Sequence, residues 1–226
     1  MASPVTIQGS NVDDTSPASS NYVNPNSGTD TISDPSSGSG PVSVTIGGTL
    51  SSTIPAGGAT VSAGTQLVES TGGSGGSSGV DESVSGSGTA TLVGGAGDDS
   101  LNSSAATGAV TLEGASGADA GTTTMTGSTV VGTTYAFGDG TDAPGYSTNI
   151  ITDFTSNDHL YLNGYTLSGN ELVNASGQDV GSVTYKNVNY GGSSTASTVI
   201  TMGGTTIKLI GVTSLTSSEI TTTKPG

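Results

Sequence analysis

The chain has 226 residues, of which 31% are hydrophobic and 4% aromatic, enough for one or two domains but not for a thick conventional core. Its 18 acidic residues outweigh three lysines, Lys186, Lys208 and Lys224, giving a net charge of −15 and excluding nucleic acid as a partner, since the cations that neutralise phosphate are missing. With no cysteine and one histidine, His159, disulfides, thiol catalysis and an H-E-x-x-H zinc centre are excluded too.

Residues 1–40 are rich in Ser, Asn, Asp and Pro, and Pro4, Pro17, Pro25 and Pro35 are spaced so that no long strand can form. This composition predicts an extended N-terminal arm, disordered by itself, whose short Val5-Thr6-Ile7 strand could add to a neighbouring subunit. Residues 41–71 form a β segment with candidate strands at 42–46, 59–63 and 65–68. In the first of these Val42, Val44 and Ile46 alternate with Ser43 and Thr45. Gly47-Gly48 and Pro55-Ala56-Gly57-Gly58 separate the three. Residues 72–145 are a repeat region, with strands predicted at 89–93, 109–113 and 128–137. Residues 146–226 read as antiparallel β: Leu160 and Leu162 alternate with His159 and Tyr161, and Ile207 and Leu209 with Thr206 and Lys208. Asn163-Gly164, Ser176-Gly177 and Gly203-Gly204 suit tight turns. One helical turn is expected, at 217–220, and the fold class is all-β.

Within the repeat region, Gly94-Gly95-Ala96-Gly97-Asp98-Asp99-Ser100-Leu101-Asn102 fits the G-G-x-G-x-D-x-U-x nonapeptide at every fixed position. Three looser copies keep Gly-x-Asp: Gly79 with Asp81, Gly117 with Asp119, and Gly140 with Asp142. The four aspartates recur about two nonapeptides apart, so each copy is expected to be one turn of a stacked parallel β-roll or β-solenoid. Calcium is a hard cation that takes about six to eight oxygens, and glycine lets a tight turn aim its carbonyls inward while an aspartate adds charge. The candidate calcium ligands are therefore Asp81 with Gly79; Asp98 and Asp99 with Gly95 and Gly97; Asp119 with Gly117; and Asp139 and Asp142 with Gly140.

Downstream, Asn149-Ile150-Ile151-Thr152-Asp153-Phe154 and Asn157-Asp158-His159-Leu160-Tyr161-Leu162 resemble the "DF" and "D-x-L-x-L" strands that close the roll in RTX (repeats-in-toxin) proteins. Gly203 to Thr216 resembles the hairpin near their C-termini. Together the similarities cover about Gly76 to Ile220. The chain departs from the family pattern in having one complete repeat and no apolar residue at the expected place after Asp81, Asp119 and Asp142. The resemblance implies export by a type I secretion system on an uncleaved C-terminal signal, and folding outside the cell on calcium. It also reconciles two sequence features. The first thirty residues carry no signal peptide, yet calcium sites tuned to the ~10⁻⁴ to 10⁻³ M range belong outside a cell. No apolar stretch approaches the roughly 20 residues of a membrane helix.

An enzyme is not expected. Gly72-Gly73-Ser74-Gly75-Gly76 matches G-x-S-x-G, but its Ser/Gly flanks lack the strand-turn-helix setting of a nucleophile elbow. Asp153 and Asp158, or Asp139 and Asp142, are explained by calcium or turn roles more simply than by acid–base work. His159 falls on the polar face of its strand. Little sequence precedes the repeats that could serve as an effector domain. The leading expectation is a structural subunit that self-assembles outside the cell into a surface layer or filament, as a homo-oligomer with a cell-surface polysaccharide as a possible anchor. The alternative is a monomeric adhesin or carbohydrate-binding module presenting Tyr161, Tyr165, Tyr185 and Tyr190.

Overall fold

The computed structural model describes residues 81–86, 89–94, 97–114, 120–138 and 147–223, together with the backbones of the strands before residue 72. Those early strands are β1 (Ile7–Gln8), β2 (Thr15–Pro17), β3 (Tyr22–Asn24), β4 (Thr29–Ser33), β5 (Val42–Ile46), β6 (Thr49–Thr53), β7 (Ala59–Ala63) and β8 (Gln66–Thr71). The next eight are β9 (Asp81–Gly86), β10 (Ala90–Val93), β11 (Gly97–Ala106), β12 (Val110–Glu113), β13 (Ala120–Thr126), β14 (Thr133–Phe137), β15 (Ser147–Ile151) and β16 (His159–Leu162). The last six are β17 (Thr166–Ser168), β18 (Glu171–Val173), β19 (Asp179–Tyr190), β20 (Ser193–Met202), β21 (Thr205–Leu209) and β22 (Ile220–Thr221), with one 3₁₀ turn at Ser217–Glu219.

Consecutive strands from β1 to β16 alternate between two sheets. The odd-numbered ones lie side by side and parallel in a 13-stranded sheet, and the even-numbered ones do the same in a 9-stranded sheet. The chain thus makes repeated passes, each leaving one strand in each sheet. Parallel pairing in a sequence this polar is sustained by two apolar ladders. Leu92, Leu112, Tyr135 and Leu160 are in register across β10, β12, β14 and β16. Leu101, Met125, Ile151 and Leu209 are in register across β11, β13, β15 and β21. All eight have no exposed surface, and both ladders belong to a single buried cluster. Each fully buried side chain of this size contributes roughly 1.5–3 kcal/mol, so the core is thin but continuous along the stack.

Strands β1 to β4 fall within residues 1–40 and pair inside the chain's own sheets, while Val5 and Thr6 of the expected strand-donating segment lie outside the described residues. Two other sequence expectations need correction. The strand expected at 128–137 begins at Thr133. Before it, Ser128 Oγ accepts the amides of Val130 and Val131, each at 3.1 Å, and Thr133 Oγ1 accepts that of Ser128 at 2.9 Å, closing a turn. The region after 146 is not uniformly antiparallel. β15 pairs parallel with β13 and β21, and β16 with β14 and β22, while only β17 to β21 form antiparallel neighbours. Gly203-Gly204 joins β20 to β21 as expected, with Met202 opposite Thr205. Among the described residues no helix is long and apolar enough to cross a membrane.

Candidate functional site

The Gly94–Asp99 segment lies where the chain leaves β10 for β11, crossing from one sheet to the other. Asp98 is exposed, and its Oδ1 accepts the backbone N–H of Thr122 at 2.8 Å. Asp99 points the other way and is buried, with Oδ2 accepting the Thr123 hydroxyl at 3.3 Å. This alternation follows from strand geometry: Leu101, two residues on, is fully buried on the same inner side as Asp99. It is also the apolar position that the nonapeptide requires.

The register across neighbouring strands sets Asp99 opposite Thr123 and Thr123 opposite Asn149. All three are buried, forming a polar inner column beside the apolar ladder. Asn149 Nδ2 donates to Ser147 Oγ at 3.4 Å, whereas Asn149 Oδ1 is buried without a hydrogen-bond partner. Gly114 lies against it, and a Cβ there would come within 2.6 Å of both Asn149 Oδ1 and the Phe137 ring. Asp81 occupies the register position opposite Ser100, one residue away from Asp99's level. Gly97 opens β11 opposite Ala120. Gly79, Gly95, Gly117, Asp119, Asp139, Gly140 and Asp142 lie outside the described residues. Among the described residues, no three His, Cys, Asp or Glu side chains gather as a metal-binding group. Asp98 and Asp99 face opposite sides of β11, so their carboxylates do not converge on one point.

A second pair of carboxylates stands at the crossing between β15 and β16, against the crossing between β13 and β14. Both belong to the strand-closing motifs of the sequence, Asp153 before Phe154 and Asp158 before His159, which give no sign of what the carboxylates hold. Asp153 Oδ1 accepts the Gly127 amide at 2.9 Å and the Tyr135 hydroxyl at 3.2 Å. Asp158 is 2% exposed; its Oδ1 accepts the Thr133 amide at 2.7 Å, and its Oδ2 accepts the Thr155 amide and hydroxyl at 2.7 and 2.9 Å. Each carboxylate thereby clips one crossing to the previous pass through charge-assisted bonds to backbone. Burial, with the charges of Asp153 and Asp158 nearby, pushes the Tyr135 phenol far above its ordinary range, so it remains a neutral donor. Gly127 is required by this packing, because a Cβ there would collide with the Tyr135 hydroxyl.

The four tyrosines do not form one platform. Tyr161 is buried and Tyr165 packs against the core, while Tyr185 and Tyr190 are exposed on β19. His159 is exposed at the start of β16. Comparisons with protein-family models, curated proteins and solved structures give no match to this chain.

Proposed function

We propose that the chain is a structural subunit that a bacterium exports through a type I system, that folds outside the cell on calcium as a parallel β-roll of the RTX kind, and that self-assembles into a surface layer or matrix filament. The observation that carries this reading is the alternation of successive strands between two parallel sheets, with the one complete glycine-aspartate nonapeptide at a crossing between them. A roll of this kind takes its metal at such crossings. Asp99, on the inner side of β11, would supply charge to the ion, and carbonyls of the turn would supply most of the about six to eight oxygens it needs. Calcium would also lower the self-repulsion of a chain with 18 acids and three lysines.

Assembly is supported by the abundance of strand in a thin-cored chain whose sheets, among the described residues, end in edges without a further strand, and such edges pair readily. Electron microscopy of the purified chain tests the reading. Ordered polymers in millimolar calcium that dissolve in chelator are expected, and monodisperse monomers at every calcium level would refute assembly. The exposure of Tyr185 and Tyr190, 42% and 36%, favours a second reading as a glycan-binding adhesin. That reading requires glycan binding that is lost in Tyr185→Ala or Tyr190→Ala.

A further inference from the structure

β19 and β20 pair from Gly181 opposite Met202 out to Tyr190 opposite Ser193, joined by Gly191-Gly192, both at positive φ (57° and 79°). The neighbours of this hairpin stop short of its tip. β18 follows β19 only to Ser182, opposite Glu171, and β21 follows β20 only from Thr198 to Met202. Beyond Val183, β19 has no second strand partner among the described residues. The hairpin's parity fixes which backbone groups are open. Tyr190 and Ser193 flank a two-residue turn and bond each other, as do Val188 with Thr195 and Lys186 with Ser197. The intervening Tyr185, Asn187 and Asn189 direct their N–H and C=O away from β20. Val183 has the same parity, and its amide does point outward, donating to Asn170 O at 2.8 Å.

Such an edge is normally blunted by charges, a proline or a bulge. Here the β19–β20 register runs without a shift, and Val183 to Ser197 contains no proline, no acid and one charge, Lys186. The lack of acids identifies the occupant. Two copies of a chain carrying −15 repel each other over most of their surface and can approach where carboxylates are absent. We infer that the outer edge of β19, from Tyr185 to Asn189, receives a second copy of this chain, β19 against β19 in antiparallel fashion, so that one sheet runs through both copies. This names the contact for the assembly proposed above and rests on that reading. A two-fold axis at Val188 sets Asn187 against Asn189 of the second copy as the bonded pairs. It also sets Lys186 against the ring of Tyr190 of the second copy, a cation over an aromatic face.

The test compares the full wild-type chain with Asn187→Pro and Asn187→Ala by sedimentation velocity in millimolar calcium. Proline at 187 removes an outward N–H without touching a β19–β20 bond, whereas alanine keeps that N–H. Wild type and Asn187→Ala are expected to associate alike, and Asn187→Pro to sediment as a smaller species with an unchanged circular dichroism spectrum. If Asn187→Pro associates like wild type, the edge is not the contact, although assembly stands. A wild type that is monomeric throughout overturns the assembly reading and this contact with it. Should Asn187→Pro fail to fold, hydrogen exchange in the wild type decides: the Tyr185, Asn187 and Asn189 amides must exchange more slowly in concentrated than in dilute protein, and equal rates refute the contact.

Discussion

Asp158→Ala tests whether the crossing between β15 and β16 is held by a carboxylate rather than by a metal. The substitution removes an acceptor from the buried Thr133 amide and from the amide and hydroxyl of Thr155. An orphaned buried N–H costs about 2–3 kcal/mol when its lost partner was charged, and each Thr155 donor, able to reach water, costs about 1 kcal/mol or less. The sum is about 4 kcal/mol. For a chain of this length unfolding as one unit it lowers Tm by roughly 8–16 °C. Asp158→Asn keeps an acceptor for Thr133 but turns an amide group toward the Thr155 donors, so its loss should be about half as large. The assay is thermal melting by circular dichroism, in millimolar calcium and again in chelator. The two losses should match, because every donor to Asp158 is supplied by the protein. A loss for Asp158→Ala below about 1 kcal/mol in both conditions would refute the reasoning, and a loss seen only in calcium would refute it and make Asp158 a metal ligand.

Asp99→Ala should behave differently under the same assay: a loss in chelator of about 1 kcal/mol from the Thr123 bond, and a distinctly larger loss in calcium. Equal losses would mean that Asp99 acts only as a strand tie. Gly127→Ala should destabilise by about 1–3 kcal/mol through collision with the Tyr135 hydroxyl, and Tyr135→Phe should restore part of that loss; additive effects in the double-mutant melting cycle would argue against this packing. Because the Tyr135 phenol titrates far higher folded than unfolded, its contribution is complete below the unfolded value near pH 10 and is lost as pH rises above it. Alkaline melting should therefore cost wild type about 1.4 kcal/mol more than Tyr135→Phe at pH 11. Asn149→Leu removes a buried unpaired acceptor, so stability in chelator should hold or rise by about 1 kcal/mol. A fall confined to calcium would place Asn149 Oδ1 in an ion's shell.

Strand positions were legible where apolar residues alternate with Ser and Thr. The strand at 42–46 spans the run in which Val42, Val44 and Ile46 alternate with Ser43 and Thr45, and that at 59–63 the run in which Ala59, Val61 and Ala63 alternate with Thr60 and Ser62. The Gly203-Gly204 hairpin was legible because apolar alternation flanks it. Gly191-Gly192 makes the same kind of turn and was missed, since Asn187, Asn189, Ser193 and Ser194 around it give no apolar signal on a hairpin tip that buries little. Parallel against antiparallel pairing after residue 146 was not legible at all. Periodicity reports which face is buried but not which strand lies alongside, and the side-chain bond from Ser147 to Thr205 spans 58 residues. The Gly-x-Asp spacing puts Asp81 and Asp99 on neighbouring strands β9 and β11 but does not give their register: Asp81 pairs opposite Ser100, and Asp99 opposite Thr123, where the apolar pair of Leu101 and Met125 sets the alignment.

The apolar ladder and the turn carboxylates divide the work of holding a charged chain together. The ladder is uninterrupted from β11 to β21, while the carboxylate ties run between successive passes: Asp98 to Thr122, Asp153 to Gly127, Asp158 to Thr133. Stability in such a stack is nearly a sum over passes and the interfaces between them, so tightening one crossing supports its neighbours. Backbone amides and hydroxyls satisfy these carboxylates locally but leave the total charge unchanged, because they carry none. With three lysines against 18 acids, that charge is not balanced within the chain, and the crossings are where carboxylates meet backbone donors. β21 covers the outer edge of β15 and ends the parallel run in that sheet. The acid-free stretch from Val183 to Ser197 in the β19–β20 hairpin belongs to this same end, and there two acidic stacks would meet the least repulsion.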